Sequence, residues 1–336
     1  MEKIDILLAT YNGSKYLHEQ LDSILSQSYE NINVIIRDDG SSDNTVMIIK
    51  EYEQKDNRVK LLSDNLGNLG FVRNFEELMK NSTSEYLMFS DQDDIWYNNK
   101  VETSYTRIKA IEEINGKSCP ILVHTNSRIM NYETRTKSLF ISNCAKNSSF
   151  ENSFFNFFVQ GSTMLINESL KREALPFSKE VYLHDRYLHL IAEFIGVRAY
   201  IDMPTMDYRQ HSNNEIGSKV NIIDKIKNKR YFDLKDRELL IFLDNTYSAK
   251  LDEIKKEKMD DRQQQGIRLA TMHRVKGLEF QYVFVAGVNA GIVPLKQAVE
   301  IDEPVAKNEA ITAEKCLLYV ALTRAQKGAF IKIGRA

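Results

Sequence analysis

The chain has 336 residues, of which 43% are hydrophobic and 27% charged, with a formal net charge of −2. This length allows one large or two ordinary domains, and the charge excludes a global attraction to nucleic acid or anionic membranes. The three scattered cysteines indicate neither a disulfide framework nor a structural zinc site, and no apolar run approaches the ~20 residues that span a bilayer. We therefore expect a cytoplasmic protein, with at most peripheral contact with the inner face of the membrane.

The first half of the sequence alternates short apolar runs with amphipathic stretches. We predict strands at 4–9, 33–37, 59–63 and 85–90, and helices at 15–28, from 44 onward and at about 71–79. Strands that alternate with helices in this way indicate βαβ units and a mostly parallel sheet. In such α/β sheets, ligands bind at the carboxyl ends of the strands.

Three polar clusters follow predicted strands directly. They are TYNGS at 10–14, DDGSSDNT at 38–45 and DQDD at 91–94. Because the carboxyl ends of parallel strands meet at one edge of a sheet, we expect the three clusters to converge there. Topology alone thus predicts a site at this edge.

The DQDD cluster concentrates three carboxylates, those of Asp91, Asp93 and Asp94. Two carboxylates separated by one residue lie on the same side of an extended chain, where they would repel without a counter-ion. Mg²⁺ or Mn²⁺, shared with substrate phosphates, would resolve that repulsion. The structural alternative is that DQDD begins a helix, as cap and first-turn acid. Asp38 and Asp39 have a similar alternative as turn and cap residues.

The second half of the chain is less regular. It contains a predicted strand at 121–126, the polar segment LHDRYLHL at 183–190 and a basic amphipathic stretch at 219–230. Residues 250–266 are almost devoid of apolar side chains and indicate a boundary. Beyond them, 282–288 and 317–323 are candidates for further buried elements.

The sequence resembles the family-2 inverting glycosyltransferases over about residues 3–220. The resemblance is carried by LLATYNGSKYLHEQLDSILSQSY, IIRDDGSSDNT, DNLGNLGFVRNF and FSDQDDIW, and LHDRYL and YRQHSNN point to the bacterial rhamnosyltransferase-like branch. It implies an A-type glycosyltransferase fold of the α/β class. Such a fold has a mostly parallel nucleotide-binding sheet, an acceptor-side subregion and, here, a helical tail.

The resemblance also implies residue roles. It assigns contacts with the nucleotide-sugar to Thr10, Asn12, Asp39, Arg73, Asn74 and Asp91, metal ligation to Asp91, Asp93 and His211, and the general base to Asp185. A base is needed because the acceptor hydroxyl loses its proton as it attacks the anomeric carbon. The structural alternative for Asp185 is a helix N-terminal acid beside a surface His184, and for His211 a solvated loop residue.

The implied reaction is a hexosyl-type transfer that depends on Mg²⁺ or Mn²⁺. The donor would be a dTDP- or UDP-sugar, with rhamnose as the leading sugar, and the acceptor a hydroxyl of a cell-surface glycan or lipid-linked glycan. The basic stretch at 219–230 could rest on the anionic membrane where such acceptors lie.

Residues 266–331 resemble a different family: they are similar to the last two motifs of superfamily 1 DNA helicases. IRLATMHRVKGLEF and AEKCLLYVALTRAQ carry this likeness, which places His273 and Gly277 near single-stranded DNA or ATP, Glu279 near the ribose and Arg324 at the γ-phosphate. An arginine of this kind needs a bound nucleotide, yet the nearest phosphate-loop candidate, IEEINGKS at 111–118, lacks the first glycine. We interpret 111–118 as a helix end and turn, and we expect neither helicase activity nor nucleic-acid binding.

The predicted organisation has three parts. They are a glycosyltransferase domain at 1–245 (nucleotide-sugar half about 1–115, acceptor and catalytic half 116–218, basic helical tail 219–245), a charged linker at 246–265 and a helicase C-terminal-like α/β fragment at 266–336. Two alternatives remain at this stage: a nucleic-acid- or ATP-binding accessory module, and a non-catalytic fusion product.

Overall fold

The structure is a computed structural model. It describes residues 2–131, 137–139, 159–210, 235–236, 238–247, 280–286 and 325–332. The chain divides into two compact units, Met1–Arg262 and Gln263–Ala336.

The first half of the main sheet is parallel, as predicted. Its strands are β1 (Ile4–Thr10), β2 (Ile32–Asp38), β3 (Val59–Leu61) and β4 (Tyr86–Ser90), in the spatial order β3-β2-β1-β4. The helices between them are α1 (Leu17–Leu25), α2 (Thr45–Lys55) and α3 (Gly70–Asn81). Each of these seven elements lies within a few residues of its predicted position.

Apolar periodicity accounts for these elements. In α1, Leu17, Leu21 and Ile24 form one helical stripe, and all three are fully buried against the sheet. In β1, Ile4, Ile6 and Leu8 belong to the same core cluster. Burial on both faces explains why β1 is apolar over Ile6–Ala9 without alternation; Asp5 is also buried, and its carboxylate accepts from the Ser82 hydroxyl at 2.6 Å.

The second half of the sheet is mixed. Its elements are β5 (Ile95–Trp96), α4 (Lys100–Asn115), β6 (Ile121–Asn131), β7 (Lys137–Leu139), a 3₁₀ turn at Gly161–Thr163, β8 (Met164–Asn167), α5 (Glu168–Ala174), α6 (His184–Ile195) and β9 (Val197–Gln210). The order continues β4-β8-β6-β9-β5, with β7 paired to β6. β8 runs antiparallel to both β4 and β6, and β5 antiparallel to β9. The prediction of a mostly parallel sheet therefore holds for the first half only.

The segment after DQDD does not begin a helix, so the structural alternative for this cluster is wrong. Ile95 and Trp96 form β5, and the next helix starts only at Lys100. The chain thus leaves β4 in the middle of the sheet and joins β9 at its far edge. By contrast, the interpretation of 111–118 as a helix end is confirmed, since α4 ends at Asn115 and Gly116 follows with φ +80°.

Part of the predicted helical tail is described, at 235–236 and 238–247. Leu239, Leu243 and Tyr247 are buried, and the Tyr247 hydroxyl donates to the carbonyl of Glu173 on α5 at 2.9 Å. The basic residues 219–234 lie outside the described part of the chain. Nowhere in that part does a helix have the length and apolar content to cross a bilayer.

The second unit contains a parallel strand pair, β10 (Phe280–Ala286) with β11 (Ala325–Lys332). The predicted element at 282–288 overlaps β10. The element predicted at 317–323 and the helicase-like positions lie outside the described residues; those positions are His273, Gly277, Glu279 and Arg324. The helicase resemblance therefore stays a sequence prediction.

Candidate active site

The polar clusters that follow β1 and β2 are joined by hydrogen bonds. Thr10 closes β1, and its hydroxyl donates to Asp38 Oδ1 at 2.9 Å. The Asp39 N–H donates to the Thr10 carbonyl at 2.8 Å. Asn12, at φ +50°, donates its N–H to Ser41 Oγ at 2.8 Å. Thr10 and Asn12, both predicted to contact the nucleotide-sugar, thus organise the loop that would hold it.

The clusters after β1 and β4 are joined as well. The Gln92 side chain accepts from the Tyr11 N–H at 2.8 Å and donates to the Tyr11 carbonyl at 2.9 Å. The three polar clusters therefore meet at one edge of the sheet, which confirms the prediction from topology.

The acidic loop holds its three carboxylates close together. Asp91 and Asp93 are half-buried, whereas Asp94 is fully buried. Asp94 Oδ2 has no hydrogen-bond partner. Burial, and next the nearby charges of Asp93 and Asp91, raise the pKa of Asp94 well above its ordinary value. Negative charge is thus concentrated at the carboxyl end of β4.

Two buried cations lie beneath this loop. Arg209, on β9, donates its backbone N–H to Asp94 Oδ1 at 3.3 Å and its Nε to the Asp93 carbonyl at 2.8 Å. Lys100 is fully buried, with Nζ 4.6 Å from the centre of the Trp96 ring. Burial lowers the pKa of Lys100 to about 7, against the opposing effect of Asp94. Arg209 therefore fixes the backbone of the acidic loop.

The carboxylates of Asp91 and Asp93 are suited to a hard divalent cation. Within the described part of the chain, no three carboxylate, imidazole or thiolate groups form a complete metal cage. Mg²⁺ is commonly held by one or two carboxylates together with substrate phosphates and water. The donor set and the local excess of negative charge fit such a shared site. His211, the third predicted ligand, lies outside the described residues and follows Arg209 by two positions.

Asp39 is buried at the end of β2, and its carboxylate caps α3. Asp39 Oδ1 accepts from the Leu69 N–H at 2.7 Å, and Oδ2 accepts from the Gly70 N–H at 2.8 Å. Oδ1 also pairs with Arg37 Nη1 at 2.8 Å. The structural alternative for Asp39, a cap, is thus realised. Its contact with a nucleotide base stays a prediction.

Arg37 is the centre of a polar network buried beneath the donor edge. Only 1% of its surface is exposed, and Nε and Nη2 donate to the two carboxylate oxygens of Asp64 at 2.8 and 3.1 Å. Asn74, predicted to hold the nucleotide, is 2% exposed and instead exchanges two 3.3 Å hydrogen bonds with Arg37. Arg37 and Asn74 therefore hold β2 against α3.

Arg73 faces a different part of the protein. Its Nη1 donates to Glu76 Oε2 at 2.6 Å and to the Phe177 carbonyl at 2.9 Å, while Nη2 donates to the Ser178 carbonyl at 3.0 Å. These bonds join α3 to the loop between α5 and α6. The nucleotide contact predicted for Arg73 stays a prediction.

Asp185 lies in the first turn of α6 and is half-buried. It accepts from its neighbour's N–H, that of Arg186, at 2.7 Å, and from the N–H of Gly161. Burial raises the pKa of Asp185 to about 6, although both N–H groups and the Arg186 charge oppose the shift. A carboxylate with a pKa in this range can accept a proton at neutral pH.

The prediction that His184 would be a surface residue is wrong. It is 6% exposed, and its ring stacks on Phe75 with 4.1 Å between centroids. Phe89 on β4 lies 5.5 Å from the same ring. Since Phe89 precedes Asp91 by two residues, this packing holds the first turn of α6, and with it Asp185, against the carboxyl end of β4.

Sequence reasoning did not single out Arg37, Asp64, Gln92 and Arg209. Arg37 carried one signal, as a lone cation within the apolar run of β2. Such a residue in a buried strand needs an acidic partner. Asp64, Gln92 and Arg209 stand within the motifs that carry the family resemblance, but they act through contacts with residues distant in sequence, which those motifs do not reveal.

The model of glycosyl transferase family 2 matches residues 5–169. A dTDP-rhamnosyl transferase of Shigella flexneri, RfbG, is 32% identical over 232 residues, which are 66% of this chain and 77% of the relative. An uncharacterized glycosyltransferase of Haemophilus influenzae is 27% identical over 214 residues, 62% of this chain and 66% of the relative.

Among solved structures, that of Staphylococcus aureus TarS 1–349 in complex with UDP-GlcNAc superposes with a TM-score of 0.51. The two sequences are 17% identical, and the superposition covers 73% of this chain and 73% of the TarS chain. The fold is therefore a mixed α/β, GT-A-like fold. The chain belongs to glycosyl transferase family 2, and it is a glycosyltransferase.

Proposed function

We propose that the protein is a metal-dependent inverting glycosyltransferase. It transfers a sugar from a nucleoside-diphosphate donor to a hydroxyl of a cell-surface glycan or lipid-linked glycan. The observation that carries this proposal is the convergence of three hydrogen-bonded loops on one sheet edge, where Asp91 and Asp93 concentrate negative charge. The packing of His184 on Phe89 holds the candidate base beside that edge.

Asp185 is the candidate general base. The acceptor oxygen forms a bond to the anomeric carbon as the bond from that carbon to the donor's diphosphate breaks, and the acceptor's proton passes to the Asp185 carboxylate. A single displacement of this kind inverts the anomeric centre. The pKa of about 6 leaves Asp185 mostly ionised at neutral pH, yet basic enough to accept the proton.

Asp91 and Asp93 would hold Mg²⁺ or Mn²⁺. When bound, the ion supplies positive charge that stabilises the departing diphosphate. The protein's own contribution is to fix the two carboxylates: Arg209 bonds the Asp93 carbonyl, and Gln92 bonds the loop after β1. His211 would be a further ligand.

A dTDP-sugar is the leading donor, with rhamnose as the transferred sugar. The support is the 32% identity with a dTDP-rhamnosyl transferase over most of that relative's length. The likeness to TarS supports the fold alone. A UDP-sugar, the other donor that the family resemblance implies, is the second donor to test. Transfer to a lipid-linked acceptor would take place at the inner face of the membrane.

The proposal is tested by sugar transfer and donor hydrolysis with Mg²⁺ or Mn²⁺, using dTDP-rhamnose and UDP-sugars. We expect Asp93→Asn and Asp185→Asn each to lower turnover by at least about 100-fold, as removal of a general base or an electrostatic stabiliser does. Glu113→Gln is the matched control, because Glu113 is exposed near the end of α4, at the opposite edge of the sheet. Turnover like that of the wild type in either aspartate variant would refute the site assignment.

The second candidate function is nucleotide or nucleic-acid binding by residues 266–336. The helicase-like motifs favour it, but the absence of a phosphate loop from the sequence argues against it. ATP hydrolysis that is stimulated by single-stranded DNA and lost in Arg324→Ala would establish it. We expect no such hydrolysis.

A further inference from the structure

Gln92 and Tyr11 are paired through both of the hydrogen-bonding groups of a primary amide. The Tyr11 N–H donates to Gln92 Oε1 at 2.8 Å, and Gln92 Nε2 donates to the Tyr11 carbonyl at 2.9 Å. A glutamine amide has one acceptor and one donor group, as a peptide unit has. The side chain therefore pairs with Tyr11 as a neighbouring strand would.

This pairing continues the β1–β4 contact beyond the end of the strands. The last paired residues of the ladder are Leu8 and Ser90. Tyr11 and Gln92 lie beyond them, separated by 81 positions in the sequence. The side chain of Gln92 thus bridges two loops whose backbones no longer pair.

Glycine at position 13 makes room for this bridge. A Cβ added to Gly13 would collide with the Oε1 and Cδ atoms of Gln92. Gly13 has no positive φ that would itself require glycine. The close approach of the Gln92 amide is therefore the structural reason for glycine here.

The loop after β1 donates four successive backbone N–H groups to side chains from other segments. The N–H groups of residues 12 and 14 go to Ser41 and Asp43 in the loop after β2, and that of residue 13 goes to Thr45, the first residue of α2. The N–H of Tyr11 goes to Gln92. Of these four partners, Gln92 alone belongs to the acidic loop, between Asp91 and Asp93.

We propose that Gln92 is a positioning residue that couples nucleotide binding to metal binding. Its amide sets the loop that carries Thr10 and Asn12 against the loop that carries Asp91 and Asp93, so that each ligand binds more tightly when the other is present. This inference rests on the proposed function, which places the nucleotide on the first loop and the metal on the second.

The test measures the affinity of UDP and dTDP by calorimetry, first with EDTA and then with saturating MnCl₂. The ratio of the two dissociation constants is the coupling factor. We expect Gln92→Ala to reduce this factor about fivefold to tenfold, since one or two net hydrogen bonds are lost. Gln54→Ala is the matched control, because Gln54 is an exposed glutamine on α2. An unchanged factor in a folded Gln92→Ala protein would overturn the proposal.

Two further variants separate positioning from a general loss of structure. Gln92→Asn keeps the amide but is one methylene shorter, so we expect near-native thermal stability with a reduced coupling factor. Gly13→Ala should reduce the factor in the wild-type background and have little further effect alongside Gln92→Ala, where the colliding atoms are gone. Additive effects of the two substitutions on the coupling factor would contradict the proposed positioning role of Gln92.

The outcomes also distinguish this inference from the proposed function. Neither UDP, dTDP nor Mn²⁺ requires an acceptor, so coupling can be measured even if no transfer is found. A coupling factor that depends on Gln92 in a protein without transferase activity would sustain the inference and refute the proposed reaction. A wild-type protein with no coupling between nucleotide and Mn²⁺ would refute the inference, whatever its transferase activity.

Discussion

Arg186, the residue after the candidate base Asp185, directs its guanidinium to Asp236. Nε lies 3.0 Å from Oδ1, and Nη2 lies 3.2 Å from Oδ2. The Tyr182 hydroxyl donates to the same carboxylate at 2.5 Å. Arg186 is 1% exposed, so its charge depends on protein partners. A residue 50 positions further along the chain thus neutralises the cation beside the candidate base.

Asp236→Asn should weaken stability and change the pH dependence of catalysis. We expect unfolding to become easier by about 1–3 kcal/mol, below the full cost of an unpaired buried charge because Asp236 is partly exposed. The unneutralised Arg186 charge should also lower the pKa of Asp185 and move the acidic limb of the pH–rate profile to lower pH. Urea unfolding and pH–rate profiles check the two effects.

Glu238→Gln is the control for that variant. Glu238 forms an exposed ion pair with Lys235 on the same helical segment, at 2.8 Å. Pairs of this kind contribute at most about 1 kcal/mol, so stability and the acidic limb should hardly change. An acidic limb that stays in place in Asp236→Asn would show that Asp236 has only a structural role.

Asp185→Asn should stabilise the protein while removing transfer. The pKa of Asp185 is raised by burial from 3.8 to about 6, so folding favours its protonated form. The contribution of Asp185 to the free energy of unfolding is therefore fully present below about pH 4 and is lost as the pH rises through about 6. At pH 8 we expect the variant to be about 1–2 kcal/mol more stable than the wild type, discounted for partial exposure.

Urea unfolding of both proteins at pH 4 and pH 8 measures this difference. The stability gain should be small at the lower pH and larger at the higher one. A variant that is less stable than the wild type at pH 8 would show that the ionised carboxylate is stabilised in the folded protein. Transfer by the wild type should increase with pH through about 6.

Arg37→Lys should disrupt the polar network below the donor edge. Lysine cannot reproduce the paired bonds to both oxygens of Asp64, nor the simultaneous bond to Asp39. We expect a loss of about 2–4 kcal/mol in the free energy of unfolding, with weaker nucleotide binding because Asp39 loses a partner. Calorimetric titration with dTDP reports the second effect.

Arg58→Lys is the comparison for Arg37→Lys. Arg58 pairs with Asp56 through a similar geometry at 2.8 Å, but its side chain is 27% exposed. Solvent screens this pair, so we expect a loss of about 1 kcal/mol or less. Equal losses in the two variants would mean that burial of the Arg37 network has no special importance.

A chain ending at Arg262 should retain transferase activity. The first compact unit, Met1–Arg262, contains Asp39, Asp91, Asp93 and Asp185. We expect kcat and KM within about threefold of the full chain and the same midpoint for loss of nucleotide binding on heating. Loss of activity in a folded, shortened chain would assign residues 263–336 a role in the reaction.

The parallel half of the fold and the position of the site follow from local sequence patterns. Mainly apolar strands such as β1 and apolar helical stripes such as that of α1 are set by residues near in sequence. The position of polar clusters at strand ends is set in the same way. The insertion of β8 antiparallel to β4 could not be predicted in this way, because strand direction in a mixed sheet is decided by pairing between distant segments.

Individual site residues show the same distinction. Asp91 and Asp93 stand in a recognisable pattern, but the roles of Arg73 and His184 are set by distant neighbours. Arg73 bonds carbonyls more than 100 positions away. His184 is buried because Phe75 and Phe89 flank it. The periodicity of a single segment contains no information about such partners.

The route of the chain between β4 and β5 restricts how the acidic loop can change. β4 lies in the middle of the sheet, whereas β5 pairs with β9 at the edge, with Ile95 opposite Asp207 and Trp96 opposite Met206. The connection is therefore of fixed length, and an added or deleted residue would shift the pairing of β5 by one position and turn Trp96 out of the core. In this chain, exchange of side chains within the connection leaves the pairing of β5 intact, whereas a change in its length does not.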